Sequence, residues 1–199
     1  MTAFSSALIP MLAPDIDTDQ IVPSRYSHRA DTEGLLDGLF HDAKVRDPDF
    51  ILARASVRGR SIILAGPNFG CGSARESAAL ALKASGVRAL IAVSFGEIFR
   101  VNCLENGLLP IAVSPRVHEE FCALYERNND AVVTIDLDAG MVGVDDGTLS
   151  HPISIEPFRL RMIAHGFDEL GYLLEQLPAI SRYEESPQVH ETVRRRLVT

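Results

Sequence analysis

Ser61-Ile62-Ile63-Leu64-Ala65 runs directly into Gly66-Pro67-Asn68-Phe69-Gly70-Cys71-Gly72-Ser73-Ala74-Arg75-Glu76. The first five residues are a compact apolar run closed by Gly-Pro, the pattern of a buried strand. The alanine-rich stretch from Glu76 to Ser85 reads as a helix closed by Gly86, and Arg88 to Val93 reads as a second buried strand. Strand, glycine turn, helix and strand form one right-handed crossover unit of a parallel sheet, so the fold class is α/β. Gly66, Gly70 and Gly72 open backbone angles closed to other residues and let a ligand come near. The turn feeds Ser73, Arg75 and Glu76 into a helix start, whose unpaired amides and positive dipole end attract an anion such as a carboxylate or phosphate.

Working outward, Ser94 with Glu97 three residues on has the pattern of a capping box for the next helix, which Asn106-Gly107 ends. Leu108 to Val113 reads as a third strand, and Ser114-Pro115 opens a helix over Arg116 to Arg127. Three short strands follow at Val132 to Leu137, Met141 to Val144 and Pro152 to Ile155, with Gly and Asp in their turns. Helices are expected at Pro157 to His165 and Glu169 to Leu177, and the tail over 180–199 carries only a weak helical pattern and is expected to fray. At the other end, residues 7–12 are expected to form a short edge strand, because Pro10 does not suit a central one. Residues 27–50 are polar and weakly periodic, a long loop with at most a helical turn near Leu35 to Phe40. Loops of that length are usually functional or disordered. His28 and His41 in it read as surface histidines.

The totals set limits. A chain of 199 residues suits one domain, residues 1–199, and a domain of this size buries roughly 70% of its unfolded surface. Hydrophobic content of 46% with 23% charged residues is ordinary for a soluble globular protein, and no apolar run approaches a membrane-spanning length. Met1 to Leu12 lacks a basic leader, so cytoplasm is the expected location. A net charge of −8 argues against a nucleic-acid partner, since phosphate contact needs a basic face. Cys71, Cys103 and Cys122 are too widely spaced for a disulfide framework or for zinc or iron–sulfur ligation, so no metal is expected on this chain by itself. Asp15-Ile16-Asp17-Thr18-Asp19 alternates acids as a calcium loop does but lacks the Gly and distal Glu, and reads as an Asx-type turn capping local amides.

The glycine turn is neither a phosphate-binding Walker loop, since no Gly-Lys-Ser/Thr follows, nor a dinucleotide fingerprint, since Arg75 stands where the third glycine would be. Ser73-Ala74-Arg75-Glu76 has the pattern of a capping box, a purely structural role for Ser73. Its pairing with Arg75 suggests more: a guanidinium beside exposed amides can bind a carboxylate bidentately and favour an ionised serine. Cys71 as a nucleophile is the weaker reading, because no histidine lies in the turn to act as its base.

Four blocks together carry a family resemblance: Asp17-Thr18-Asp19-Gln20-Ile21-Val22-Pro23, Asn68 to Glu76, Ser94 to Cys103, and Asn106-Gly107-Leu108-Leu109-Pro110. In order and spacing they resemble the small subunits of 3-isopropylmalate dehydratase, in the aconitase superfamily. The resemblance implies a swivelling β/β/α three-layer domain that closes over a large subunit carrying a 4Fe-4S cluster, with no cofactor on this chain. It implies a small dicarboxylate or tricarboxylate substrate, Ser73 as the base and Arg75 as the carboxylate clamp. Arg25 is implied as a second cationic contact and Asp19 as a group that orients the site, with Gly70, Gly72 and Glu76 supporting the turn. Residues 27–50 would then be the loop on the substrate side. The family commonly has a second serine where this chain has Ala74, and a histidine where it has Ser77. These departures keep open a related 2-alkylmalate, such as a methyl- or dimethylmalate, or homoaconitate. From another class, a stand-alone anion-binding regulatory module also fits the turn, as does a purely structural partner.

Overall fold

The computed structural model describes residues 2–26, 31–166 and 169–185. Its centre is the pair of apolar tetrads read from the sequence: β2 (Ile62–Ala65) and β3 (Ala89–Ala92) are buried at every position. With β4 (Leu109–Ala112) they pair in parallel, and α4 (Glu76–Ala84) and α5 (Glu97–Glu105) are the crossovers. Before them along the chain come β1 (Ala3–Met11), α1 (Thr18–Ile21), α2 (Thr32–Gly38) and α3 (His41–Arg46). After them come α6 (Pro115–Arg127), β5 (Val132–Asp136), β6 (Met141–Gly143), β7 (Ser150–Pro152), α7 (Pro157–His165) and α8 (Glu169–Glu184).

β1 corrects the expectation of a short edge strand. The sheet order is β4-β3-β2-β1-β5-β6-β7, so β1 lies inside it. Its first half, Ala3 to Ala7, runs antiparallel to β5, and its second half, Leu8 to Met11, runs parallel to β2. Pro10 falls in the half that has one neighbouring strand, where a missing N–H is tolerated. Arg60 closes the fork where β1 changes partner. Its Nη1 donates to Leu8 O (2.7 Å) and Asn129 O (2.8 Å), and its Nη2 to Asp130 Oδ1 (2.7 Å).

Alternate strand residues build two cores, one on each face of the parallel strands. Ile63, Ala65, Leu90 and Ala92 pack with Ala78, Ala79, Ala81 and Leu82 of α4 and Phe99 and Cys103 of α5. The small alanines let α4 lie close on the sheet. Ile62, Leu64, Ala89 and Ile91 share the other core with Val133, Ile135 and Val142 of the antiparallel half and with Phe121 of α6. The antiparallel half therefore curls over one face while α4 and α5 cover the other, which is the expected β/β/α layering. Each fully buried Ile or Leu here contributes about 1.5–3 kcal/mol.

The remaining differences have local causes. The stretch read as a long loop holds α2 and α3, and residues 27–30 within it lie outside the described residues. Phe40, at a left-handed φ of 49°, breaks the two helices from one another, so no helical period survives in the sequence. Leu35, Leu39 and Phe40 nevertheless bury in the core under α4. Ser94 does not cap α5, whose N-cap is Gly96, without a side-chain hydrogen bond. The seventh strand sits at 150–152 because Gly143 faces Ser150 at a close approach, a Cβ there meeting Leu149 O at 2.0 Å. α8 runs on to Glu184 through the start of the expected frayed tail, and residues from 186 onward lie outside the described part. No described helix is long and apolar enough to cross a membrane.

Removing the Arg60 fork strips two carbonyls of their donor at the point where the sheet turns from parallel to antiparallel. Arg60→Leu is expected to lower stability by about 2–4 kcal/mol, read as a shift of the urea midpoint, with Arg60→Lys recovering part of the loss.

Candidate active site

The site forms where three loops leave the C-terminal ends of β1, β2 and β3, the place where open α/β sheets offer a crevice. The first two loops are zipped by their own peptide groups. Gly66 N donates to Met11 O (2.9 Å), Asp15 N to Pro67 O (3.0 Å), Gly70 N to Ile16 O (2.7 Å) and Thr18 N to Cys71 O (3.0 Å). The third loop joins through Phe69 N to Ser94 O (3.2 Å) and Gly96 N to Phe69 O (2.9 Å). Ser94 Oγ accepts from Asn68 N (2.9 Å), which is the use this hydroxyl finds in place of a helix cap. Asp17 caps its own turn as the sequence suggests, accepting from Gln20 N at 2.7 Å. Two turn residues were not legible in the sequence: Asp15 and Asn68 both take left-handed φ, 55° and 58°, and Asn68 Nδ2 donates to Asp15 Oδ1 at 2.7 Å. Asn and Asp are the types that tolerate such angles, the one available signal.

Gly70 and Gly72 are left-handed as well, at φ of 73° and 87°, for different reasons. A Cβ on Gly70 would sit 2.2 Å from Phe99, whereas one on Gly72 would meet Asp17 Cβ at 3.4 Å. Beyond them the capping box expected of Ser73 does not form. α4 begins at Glu76 with Arg75 as its N-cap and no side-chain cap, so Ser73 lies two residues before the cap position and does not cap the helix. The Ser73 side chain is exposed, and its carbonyl accepts from the buried Thr18 hydroxyl at 2.8 Å.

Arg75 leans back over the first loop. Its Nη1 lies 2.7 Å from Asp19 Oδ1, an ion pair. The geometry gives that buried nitrogen no aligned hydrogen bond. Asp19 Oδ1 also accepts from Ser24 N (3.2 Å), which draws the segment bearing Arg25 toward Arg75. The Arg25 guanidinium pairs with Asp42 of α3 through both nitrogens and lies over the Tyr26 ring at 5.1 Å. The hydrogen bond from Arg25 pushes the Asp42 carboxyl below its ordinary range, so the ion pair holds to lower pH than a free aspartate would allow. Asp42 was not singled out from the sequence, because its role depends on where α3 packs. Glu76 Oε1 accepts from Asn106 Nδ2 at 3.1 Å and so braces α4 against the end of α5. At the two departures, Ala74 is exposed, while Ser77 Oγ is buried with no hydrogen-bond partner.

Burial, with the neighbouring Asp15 and Asp17, pushes the Cys71 thiol up, the opposite of what a nucleophile needs. Burial also raises the Cys103 thiol well above its ordinary range. Among the described residues no group of three or more His, Cys, Asp or Glu is arranged to hold a metal ion.

With this geometry in view, residues 16–116 match the family model of the Aconitase C-terminal domain. Over nearly its full length the chain is similar to proteins named 3-isopropylmalate dehydratase small subunit. It is 41% identical to that of Roseiflexus sp. strain RS-1, with 94% of this chain and 93% of the relative covered. The identity to that of Solibacter usitatus is 43%, with 93% of each covered. The chain belongs to the 3-isopropylmalate dehydratase small-subunit family. The fold agrees: a crystal structure of 3-isopropylmalate dehydratase from Methanocaldococcus jannaschii superposes with a TM-score of 0.65 at 27% identity, covering 91% of this chain and 99% of that one.

The two glycines of the turn should separate in a stability series. Gly72→Ala is expected to cost about 1 kcal/mol for its backbone angle alone. Gly70→Ala, which also drives a methyl into Phe99, is expected to cost about 3 kcal/mol or more. Chemical denaturation of both variants checks the order. Cys71→Ser is expected to keep kcat of the assembled enzyme within about threefold of the parent, as a thiol with no chemical role requires.

Proposed function

We propose that this chain is the small subunit of a hydro-lyase that interconverts 2-isopropylmalate and 3-isopropylmalate by loss and return of water, with Ser73 as the base and Arg75 as the carboxylate clamp. The observation that carries the reading is the pairing of an exposed Ser73, free of capping duty, with a buried Arg75 nitrogen that lacks an aligned hydrogen bond. Guanidinium groups bind carboxylates in a bidentate fork. An acid arriving at this rim would bond to the remaining N–H groups of the Arg75 guanidinium while Asp19 holds its Nη1. Arg25, 54% exposed although paired with Asp42, offers a second cation to the far carboxylate.

The proton chemistry falls to Ser73. It removes the proton from the carbon next to a carboxylate as the hydroxyl leaves the neighbouring carbon, and returns a proton when water adds with the opposite regiochemistry. A serine hydroxyl is a weak base, so its ionised form must be favoured by Arg75 and by the uncapped first-turn amides of α4. The 4Fe-4S cluster of a large subunit, when bound against this face, supplies the Lewis acid for departure of the hydroxyl. What supports that arrangement is the rim of this chain, where Asp19 bonds both to Arg75 and to the Ser24 N–H beside Arg25. The proposal includes a cytoplasmic location, a large-subunit partner and no nucleic-acid partner.

Assembly with a cluster-bearing large subunit of the family under anaerobic conditions, and an ultraviolet assay for the unsaturated intermediate, tests the reading. Ser73→Ala is expected to lower kcat by at least ~100-fold with assembly intact. Arg75→Lys, which loses the fork, is expected to raise KM by ~10-fold or more. Absence of signal with 2-isopropylmalate and other 2-alkylmalates would sink the proposal. Ala74 and the partnerless Ser77 hydroxyl make methylmalate and dimethylmalate the next substrates in that panel. Tight binding of a dicarboxylate by the isolated chain, seen by calorimetry, would favour a stand-alone anion-binding module instead.

A further inference from the structure

Thr18 is only 1% exposed, one of very few buried polar side chains, and it takes no part in the chemistry assigned above. It stands at the first position of α1, one residue before Asp19. Its hydroxyl has a single observed use, donation to the Ser73 carbonyl at 2.8 Å across 55 positions of chain. Residues 72–74 have little else to hold them. Gly72 is left-handed, and a Cβ there would make only an ordinary contact with Asp17 at 3.4 Å, while the helical ladder of α4 begins only at Glu76. Among the described residues no other hydrogen bond reaches Gly72, Ser73 or Ala74.

We infer that Thr18 is a positioning residue for the Ser73 base: its buried hydroxyl grips the Ser73 peptide carbonyl and fixes where the serine side chain meets substrate. This rests on the assignment of Ser73 as the base. A carbonyl held at one point restricts the rotation of the peptide that carries the serine, and a misplacement of ~1 Å at a reacting group can cost about a hundredfold in rate. Thr18 and Asp19 then act as a pair on one helical turn. The first holds the backbone of the base and the second holds the Arg75 side chain, so the base and the clamp share one reference frame.

A packing role and a positioning role make opposite predictions. Thr18→Val keeps the volume and deletes the donor, whereas Thr18→Ser keeps the donor and deletes a methyl. In the assembled enzyme Thr18→Val is expected to lower kcat by about tenfold to a hundredfold with KM within about twofold of the parent. Thr18→Ser is expected to hold kcat near the parent. A parental kcat in Thr18→Val, or equal loss in both variants, overturns the inference. Where Thr18→Val does not fold, Thr18→Cys offers a weaker donor of similar size, and a kcat equal to that of Thr18→Ser overturns the inference just as well. Ser73→Ala is run alongside. A parental rate there indicts the serine assignment, while loss there with a parental rate in Thr18→Val indicts Thr18 alone. Amide exchange of the isolated chain supplies a readout apart from activity: Thr18→Val should speed exchange at residues 71–76 and leave β2 unchanged, and unchanged exchange at 71–76 overturns the clamp.

Discussion

The peptide groups of two loops that leave neighbouring parallel strands hydrogen-bond to each other from Met11 through Cys71, and the candidate site is built on that zipper. It is made of main chain, so it needs approach rather than particular side chains. Approach is what the glycines provide. Gly70 lies against Phe99, and a Cβ on Gly96 would meet Gly70 O at 2.3 Å, so the three loops stack at backbone distance. Bulk at these points would push the loops apart and carry Ser73 and Arg75 away from Thr18 and Asp19.

Charge is arranged locally against the general balance. The chain carries a net charge of −8, yet Arg75, Arg25 and the uncapped end of α4 gather at one rim. Two acids keep the guanidinium groups in place, Asp19 for Arg75 and Asp42 for Arg25. The Arg75 Nη1 is held by charge, 2.7 Å from Asp19 Oδ1, rather than by an aligned hydrogen bond.

Much of the scaffold was legible because its signals are local. The apolar tetrads of β2 and β3, the Ser114-Pro115 entry to α6 and the glycine exits of α4 and α5 all declare themselves within a few residues. The α4 exit shows why: Gly86 N donates to Lys83 O and Val87 N to Leu82 O, a closed motif needing only a left-handed glycine. Where the reading failed, a partner distant in the chain had overruled a local pattern. Ser94 reads as a cap but is taken by Asn68. Pro10 reads as an edge residue, and β1 reconciles it with an interior place by changing partner halfway along. Phe40 hides two short helices by interrupting their period. Ser73 has the local pattern of a cap, and α4 starts too late to use it.

The sequence by itself determined the α/β class, the order of the crossover units and the family, since each rests on residues close together in the chain. Only the tertiary structure decided what Ser73 is free to do, which acid holds which arginine, and that Thr18 reaches the Ser73 carbonyl. The Arg25–Asp42 pair spans only 17 positions, but the Thr18–Ser73 and Asp19–Arg75 contacts join segments some fifty-five positions apart, and such contacts exist only once β1 and β2 lie side by side and their loops leave in the same direction.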